Sequence, residues 1–76
     1  MEKVLILGIN GFTGRHFQDY IRKNSLLMNF SFLGVDKTIH SLIDIDYAEL
    51  DLLDYQKTQE FIAGRKPDYI INLVGT

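Results

Sequence analysis

Short apolar runs alternate with stretches in which apolar residues recur at helical spacing, and this alternation runs the length of the chain. Residues 3–7, KVLIL, are apolar and end at Gly8, the pattern of a short strand buried on both faces. From Thr13 to Asn24, Phe17, Tyr20 and Ile21 repeat at helical spacing, and the basic pair Arg22 and Lys23 suits the negative end of a helix macrodipole. Phe30, Phe32, Leu33 and Val35 predict a second strand that closes at Asp36, and the near alternation of IDIDYAEL predicts a third over residues 46–50. Asp54 is placed to cap a helix running to Ala63. Gly64 is the expected left-handed residue behind that helix, and Pro67 confirms the stop. Residues 69–74, YIINLV, predict the fourth strand. Strands separated by helices require right-handed crossovers, so the expected fold is α/β with a parallel sheet of about four strands in the order 3-2-1-4 and two to three helices.

Length and composition narrow the functional classes. A chain of 76 residues is one domain at most, and one this short buries only about 60 to 65% of its unfolded surface. A net charge of −2 with no basic run offers nothing to DNA or RNA. No run approaches membrane-spanning length, no signal peptide is apparent, and cysteine is absent; a cytoplasmic address is the expectation.

The chemistry lies in GINGFTG, residues 8–14. A strand that feeds a glycine turn and then a helix aims free N–H groups and the positive end of the macrodipole at one point, where an anion is stabilised. Gly8 makes the turn, Gly11 lets the main chain approach a pyrophosphate, and Gly14 lets the helix pack closely. Three glycines alone are equally compatible with a plain turn. The context adds Asp36, 22 residues past Gly14 at the end of the second strand, where a carboxylate accepts both hydroxyls of an adenosine ribose and repels a 2′-phosphate. NAD is favoured over NADP, although the neighbouring Lys37 offers a cation that softens the preference.

GINGFTG, Asp36, the DLLD of Asp51 to Asp54 and the KPDYIINLVG of residues 66–75 together resemble the extended short-chain dehydrogenase/reductase family of nucleotide-sugar epimerases, dehydratases and reductases. The finer resemblance is to sugar-nucleotide 4,6-dehydratases and 4-keto reductases. The resemblance implies that residues 1–76 are the N-terminal half of a Rossmann-type, doubly wound, dinucleotide-binding domain with no substrate domain. It places Gly8, Asn10, Gly11, Phe12, Thr13 and Gly14 at the phosphates, Asp36 at the ribose, Asp51 and Leu52 at the adenine, and Leu73, Val74 and Gly75 as a wall beside the ribose and diphosphate. Thr13 stands where the family carries an apolar residue, and Asn72, Val74 and Gly75 stand where many members read His, Ala and Ala.

The family's proton-transfer pair, Tyr-x-x-x-Lys, does not occur in these residues: four positions on from the tyrosines stand Asn24, Asp51, Gln59 and Leu73. No catalytic residue is assigned, and nucleotide-sugar contact is expected only through residues outside this sequence. His16 and His40 make no triad or metal set, and the acidic residues Asp44, Asp46, Glu49, Asp51 and Asp54 lack calcium-loop spacing. Two other functions stay open: a stand-alone dinucleotide-binding module, and a structural, self-associating fragment. The last draws on YIINLV, an apolar strand with no charge or proline to protect its edge from a second chain.

Overall fold

The structure is a computed structural model that describes residues 1–74. Its strands are β1 (Glu2–Leu7), β2 (Phe30–Asp36), β3 (Asp46–Glu49) and β4 (Tyr69–Asn72), with helices α1 (Phe12–Lys23) and α2 (Tyr55–Arg65) and a 3-10 turn at Leu26–Met28. All pairings are parallel, and the strand order is β3-β2-β1-β4. The α/β class and the strand order are those the sequence predicts.

Alternation along the central strands builds two cores. Val4, Ile6 and Phe32 face α1 and close with Ile9 and Ile21 into one cluster, which Phe17, Leu27, Ile39 and Ile43 cover in part. Leu5, Leu7 and Val35 face the other way and meet Leu50, Leu52, Phe61 and Ile62 on the side of α2. The crossover geometry requires this division. The chain moves from β1 toward β2 through α1 and back across to β4 through α2, so right-handed connections place the two helices on opposite faces.

The helices are anchored unequally. Gly14, Gln18 and Ile21 form the buried stripe of α1, and on its exposed side Lys23 and Arg22 hold the Asp19 carboxyl below its usual range. In α2 no residue is fully buried. Asp54 caps it as expected, accepting the Lys57 amide at 3.1 Å. The helix then runs past Gly64 to Arg65, and the left-handed residue is Lys66 (φ 47°). Gly64 was expected in that role, but it lies inside the last turn with nothing within 4 Å of a Cβ there. The stop is set by Pro67, which has no N–H to continue the ladder, while the Lys66 amide still reaches the Ile62 carbonyl at 3.0 Å.

β4 is shorter than YIINLV suggested. It pairs with Val4 to Leu7 through Tyr69 to Asn72, and the Leu73 amide adds one further bond to the Leu7 carbonyl at 2.8 Å. Asp68 fixes its start by exchanging two bonds with the main chain of Lys3. The two edges of the sheet differ: β3 carries Asp46 and Glu49, whereas β4 presents Tyr69 and Ile70 about half exposed.

Gly34, within β2, has a packing role. A Cβ there would stand 2.8 Å from Cγ1 of Ile9, a side chain with no exposed surface. Gly34→Ala should therefore cost about 1–3 kcal/mol by overpacking. In urea unfolding, the double variant Gly34→Ala/Ile9→Ala should lose less than the two single losses added together; strict additivity would contradict the contact.

Candidate functional site

The reversal in strand order places a crevice between β1 and β4 at their carboxyl ends, the position where open α/β sheets hold ligands. The glycine loop occupies it. Gly8 takes a left-handed conformation (φ 84°), and its amide and that of Ile9 both bond the Val35 carbonyl, at 2.8 and 3.2 Å, latching the loop to the end of β2. A Cβ on Gly8 would also press on the main chain of Leu73 and Val74 at 3.0 Å. The exit of β4 therefore lies directly against the loop.

Gly14 is required by packing. A Cβ there would overlap the carbonyls of Ile9 and Gly8, so only glycine lets the first turn of α1 rest on the loop. Gly11 is different. Its φ of −73° is open to any residue, and the nearest atom to a Cβ would be the Gly8 carbonyl oxygen at an ordinary 3.6 Å. The protein's own packing does not demand a glycine at position 11, yet this residue caps α1 and borders the cleft.

Helix α1 has no side-chain cap and no acidic residue in its first turn. Among the described residues none accepts a hydrogen bond from the amides of Phe12, Thr13 or Gly14. These donors and the helix dipole together form a concentrated positive field at the loop. The Phe12 side chain is exposed, edge-on to His16 with ring centroids 4.6 Å apart.

A cleft of about 320 Å³ brings together Gly8, Gly11, Asp36, Lys37, Asp51, Leu52, Leu73 and Val74, residues singled out from four separate segments of the sequence, and adds Leu53. Its volume is at the low end for small-molecule sites, room for one portion of an extended ligand. Two larger hollows, of about 400 and 380 Å³, lie toward the amino ends of the strands, lined by Ser31, Arg65 and Pro67 and by Phe17, Phe30 and Tyr69 respectively. Neither contains a glycine amide, so size does not locate the site. Gly75 lies outside the described residues.

Both oxygens of Asp36 are held by main chain: Oδ2 accepts the Asn10 amide at 2.9 Å and Oδ1 accepts the Lys37 amide at 2.8 Å. A carboxylate oxygen accepts more than one bond, so each retains capacity for a ligand hydroxyl. Asp51 lines the cleft while its Oδ1 holds the Leu53 amide at 3.0 Å, and Asp54 caps α2, so DLLD shapes the cleft wall and starts the helix.

Asn10, like Phe12, Thr13 and Gly14, does not line the cleft. Its side-chain amide exchanges two bonds with the main chain of His40: Nδ2 donates to the carbonyl at 2.7 Å and Oδ1 accepts the amide at 2.9 Å. The carbonyl of Asn10 accepts from Arg15 Nε at 3.2 Å. The sequence reading also passed over Gln18, a buried amide on the apolar stripe of α1. It donates to the Ile9 carbonyl at 2.8 Å and accepts the Tyr47 hydroxyl at 2.6 Å. That hydroxyl accepts in turn from the amides of Leu42 and Ile43 at 3.1 and 3.2 Å. A polar residue between Phe17 and Ile21 was the available signal. Among the described residues no three metal-ligating side chains converge, and no helix is long and apolar enough to cross a membrane.

The features fit a dinucleotide: open main chain at Gly11, unbonded amides beside it, and an oriented carboxylate at the end of the adjacent strand. The same fold recurs in solved structures. The enzyme WbmH of Bordetella bronchiseptica, solved in complex with NAD+, superposes with a TM-score of 0.70 at 20% identity, over 100% of this chain and 26% of that one. L-threonine dehydrogenase of Clostridium difficile gives 0.72 at 21% identity, over 100% of this chain and 24% of that one. At such identities the likeness is one of fold, and the chain spans about a quarter of the length of these proteins. The sequence model of one family matches residues 4–76, nearly the whole chain. Loop, carboxylate, strand order and sequence thus converge: the chain belongs to the NAD dependent epimerase/dehydratase family.

Proposed function

We propose that residues 1–76 are the cofactor-binding portion of a nucleotide-sugar epimerase, dehydratase or reductase, and that they hold NAD in preference to NADP. The observation that carries this reading is Gly11. The fold needs glycine at positions 8 and 14 for its own packing and at position 11 only if a ligand occupies the space a side chain would take.

In this reading the amides of Phe12, Thr13 and Gly14 hold the pyrophosphate with Gly11 beneath it. Asp36 receives the adenosine ribose, Asp51 and Leu52 flank the adenine, and Leu73, Val74 and Gly75 border the ribose and diphosphate. Bound NAD supplies a hydride acceptor, and its reduced form a donor. The tyrosine, lysine and substrate contacts that the family uses lie outside this sequence, in keeping with relatives about four times as long. A cysteine-free chain suits a reducing, cytoplasmic setting. The second reading, a self-associating fragment, draws on the β4 edge. Uncharged and half exposed, it suits pairing with a second copy of the chain, unlike the acidic β3 edge.

Calorimetric titration with NAD separates ligand effects from folding effects. Gly11→Ala should cost at most about 1 kcal/mol of stability, as expected of alanine at a helix N-cap, yet weaken NAD binding. Gly11→Val should abolish binding while the circular dichroism stays native. Asp36→Ala should weaken NAD and narrow the NAD/NADP preference. Wild-type affinity in both Gly11 variants would refute the loop assignment. For the edge, light scattering of the 76-residue chain should show mass rising with concentration; a strict monomer throughout would eliminate pairing through β4.

A further inference from the structure

Every polar group of Asn10 is engaged, and none reaches the cleft. Its amide holds Asp36, its carbonyl holds Arg15, and its side chain grips the main chain of His40, 30 residues away. The grip is two-pointed, donor to carbonyl and acceptor to amide, like one rung of a sheet ladder supplied by a side chain. It closes down the segment Lys37 to Ser41, which leaves β2 directly behind the Asp36 carboxylate. Ile39, next to His40, packs partly onto the core on the α1 side, so the segment is fixed at two adjacent residues. Lys37, at its start, lines the cleft beside Asp36.

We propose that Asn10 is a positioning residue for cofactor choice: by clasping His40 it holds the segment after β2 against Asp36, leaving room for a ribose 2′-hydroxyl and none for a 2′-phosphate. The proposal rests on the dinucleotide reading above. Discrimination then has two independent sources. Asp36 repels the phosphate by charge, and the clasp stops the Lys37–Ser41 segment from withdrawing to make space or to swing a cation inward. Removing the clasp leaves Asp36 in place and relaxes only the second source.

Two variants separate the hydrogen bonds from the shape. Asn10→Leu keeps close to the size and branching of the side chain but neither donates nor accepts, so the clasp fails while the space stays filled; Asn10→Ala removes both. The 76-residue chain and each variant are titrated with NAD and with NADP, and amide hydrogen exchange is followed without ligand. In the wild type the His40 amide should be protected, and in either variant it should exchange at least about tenfold faster, as for loss of a modest net hydrogen bond. NADP affinity should rise by about tenfold with a smaller change for NAD, so that the ratio of the two narrows. A merely structural role would lower both affinities together and leave the ratio alone. An unprotected His40 amide in the wild type, or a wild-type NAD/NADP ratio in Asn10→Leu, would overturn the proposal. A wild-type chain that protects His40 but binds neither dinucleotide would instead remove the dinucleotide reading itself, and the role in cofactor choice with it.

Discussion

The first turn of α1 rests on the main-chain carbonyls of Gly8 and Ile9, an approach open only to a residue without a Cβ, here Gly14. Much of the site follows from this contact. It fixes where the helix begins, and so where the amides of Phe12, Thr13 and Gly14 point. It also sets the distance from α1 to the sheet, which lets Ile21 close on Val4, Ile6 and Phe32. Gln18, one turn further along, reaches the Ile9 carbonyl from the buried side and secures the same peptide. The site is thus a by-product of helix-on-loop packing.

Three glycines at equal spacing do three unlike things. Gly8 takes a backbone conformation that side chains rarely adopt and abuts the exit of β4; Gly14 admits the helix; Gly11 does neither and faces the cleft. The contrast sets one glycine that borders the cleft apart from two that the fold itself requires, within a single turn. Around the loop, polar contacts at long sequence separation unite segments that apolar packing alone would leave loosely joined. Asn10 grips His40, Asp36 takes the Asn10 amide, and Gln18 meets Tyr47. With no residue of α2 buried, these bonds concentrate order on the face of the sheet that carries α1 and the loop.

The strands and their order were legible because β1, β2 and β4 are largely apolar, β3 falls in a stretch of near alternation, and each crossover obeys one handedness. Asp54 was legible as a cap because its action is local. Gly64 misled: glycine signals a left-handed position only where the helix is free to stop, and this helix stops where Pro67 removes a donor, two residues later than glycine suggested. Gly34 carried a signal, since glycine inside a strand often marks a close approach, but its partner Ile9 is identifiable only in three dimensions. The same holds for the clasps. Nothing in the pattern of residues 37–45 says that His40 offers its main chain to Asn10 or that Tyr47 turns its hydroxyl onto Leu42 and Ile43. Among the cleft residues Gly8, Gly11 and Asp36 were legible beside strand ends, Asp51, Leu52, Leu73 and Val74 came from the family resemblance, and Leu53 was missed because only the curvature of a loop brings it in.

The central claim is that the unbonded amides at the start of α1 are the anchor for a dinucleotide pyrophosphate. Its most direct test is a nitrogen–proton correlation spectrum of the isotopically labelled chain during titration with NAD. The account predicts that the largest shifts fall on the amides of Gly11, Phe12, Thr13 and Gly14, with smaller ones at Lys37 and Leu53, and that adenosine alone leaves the first-turn amides unmoved. Saturable binding in which those four amides keep their free positions would contradict it.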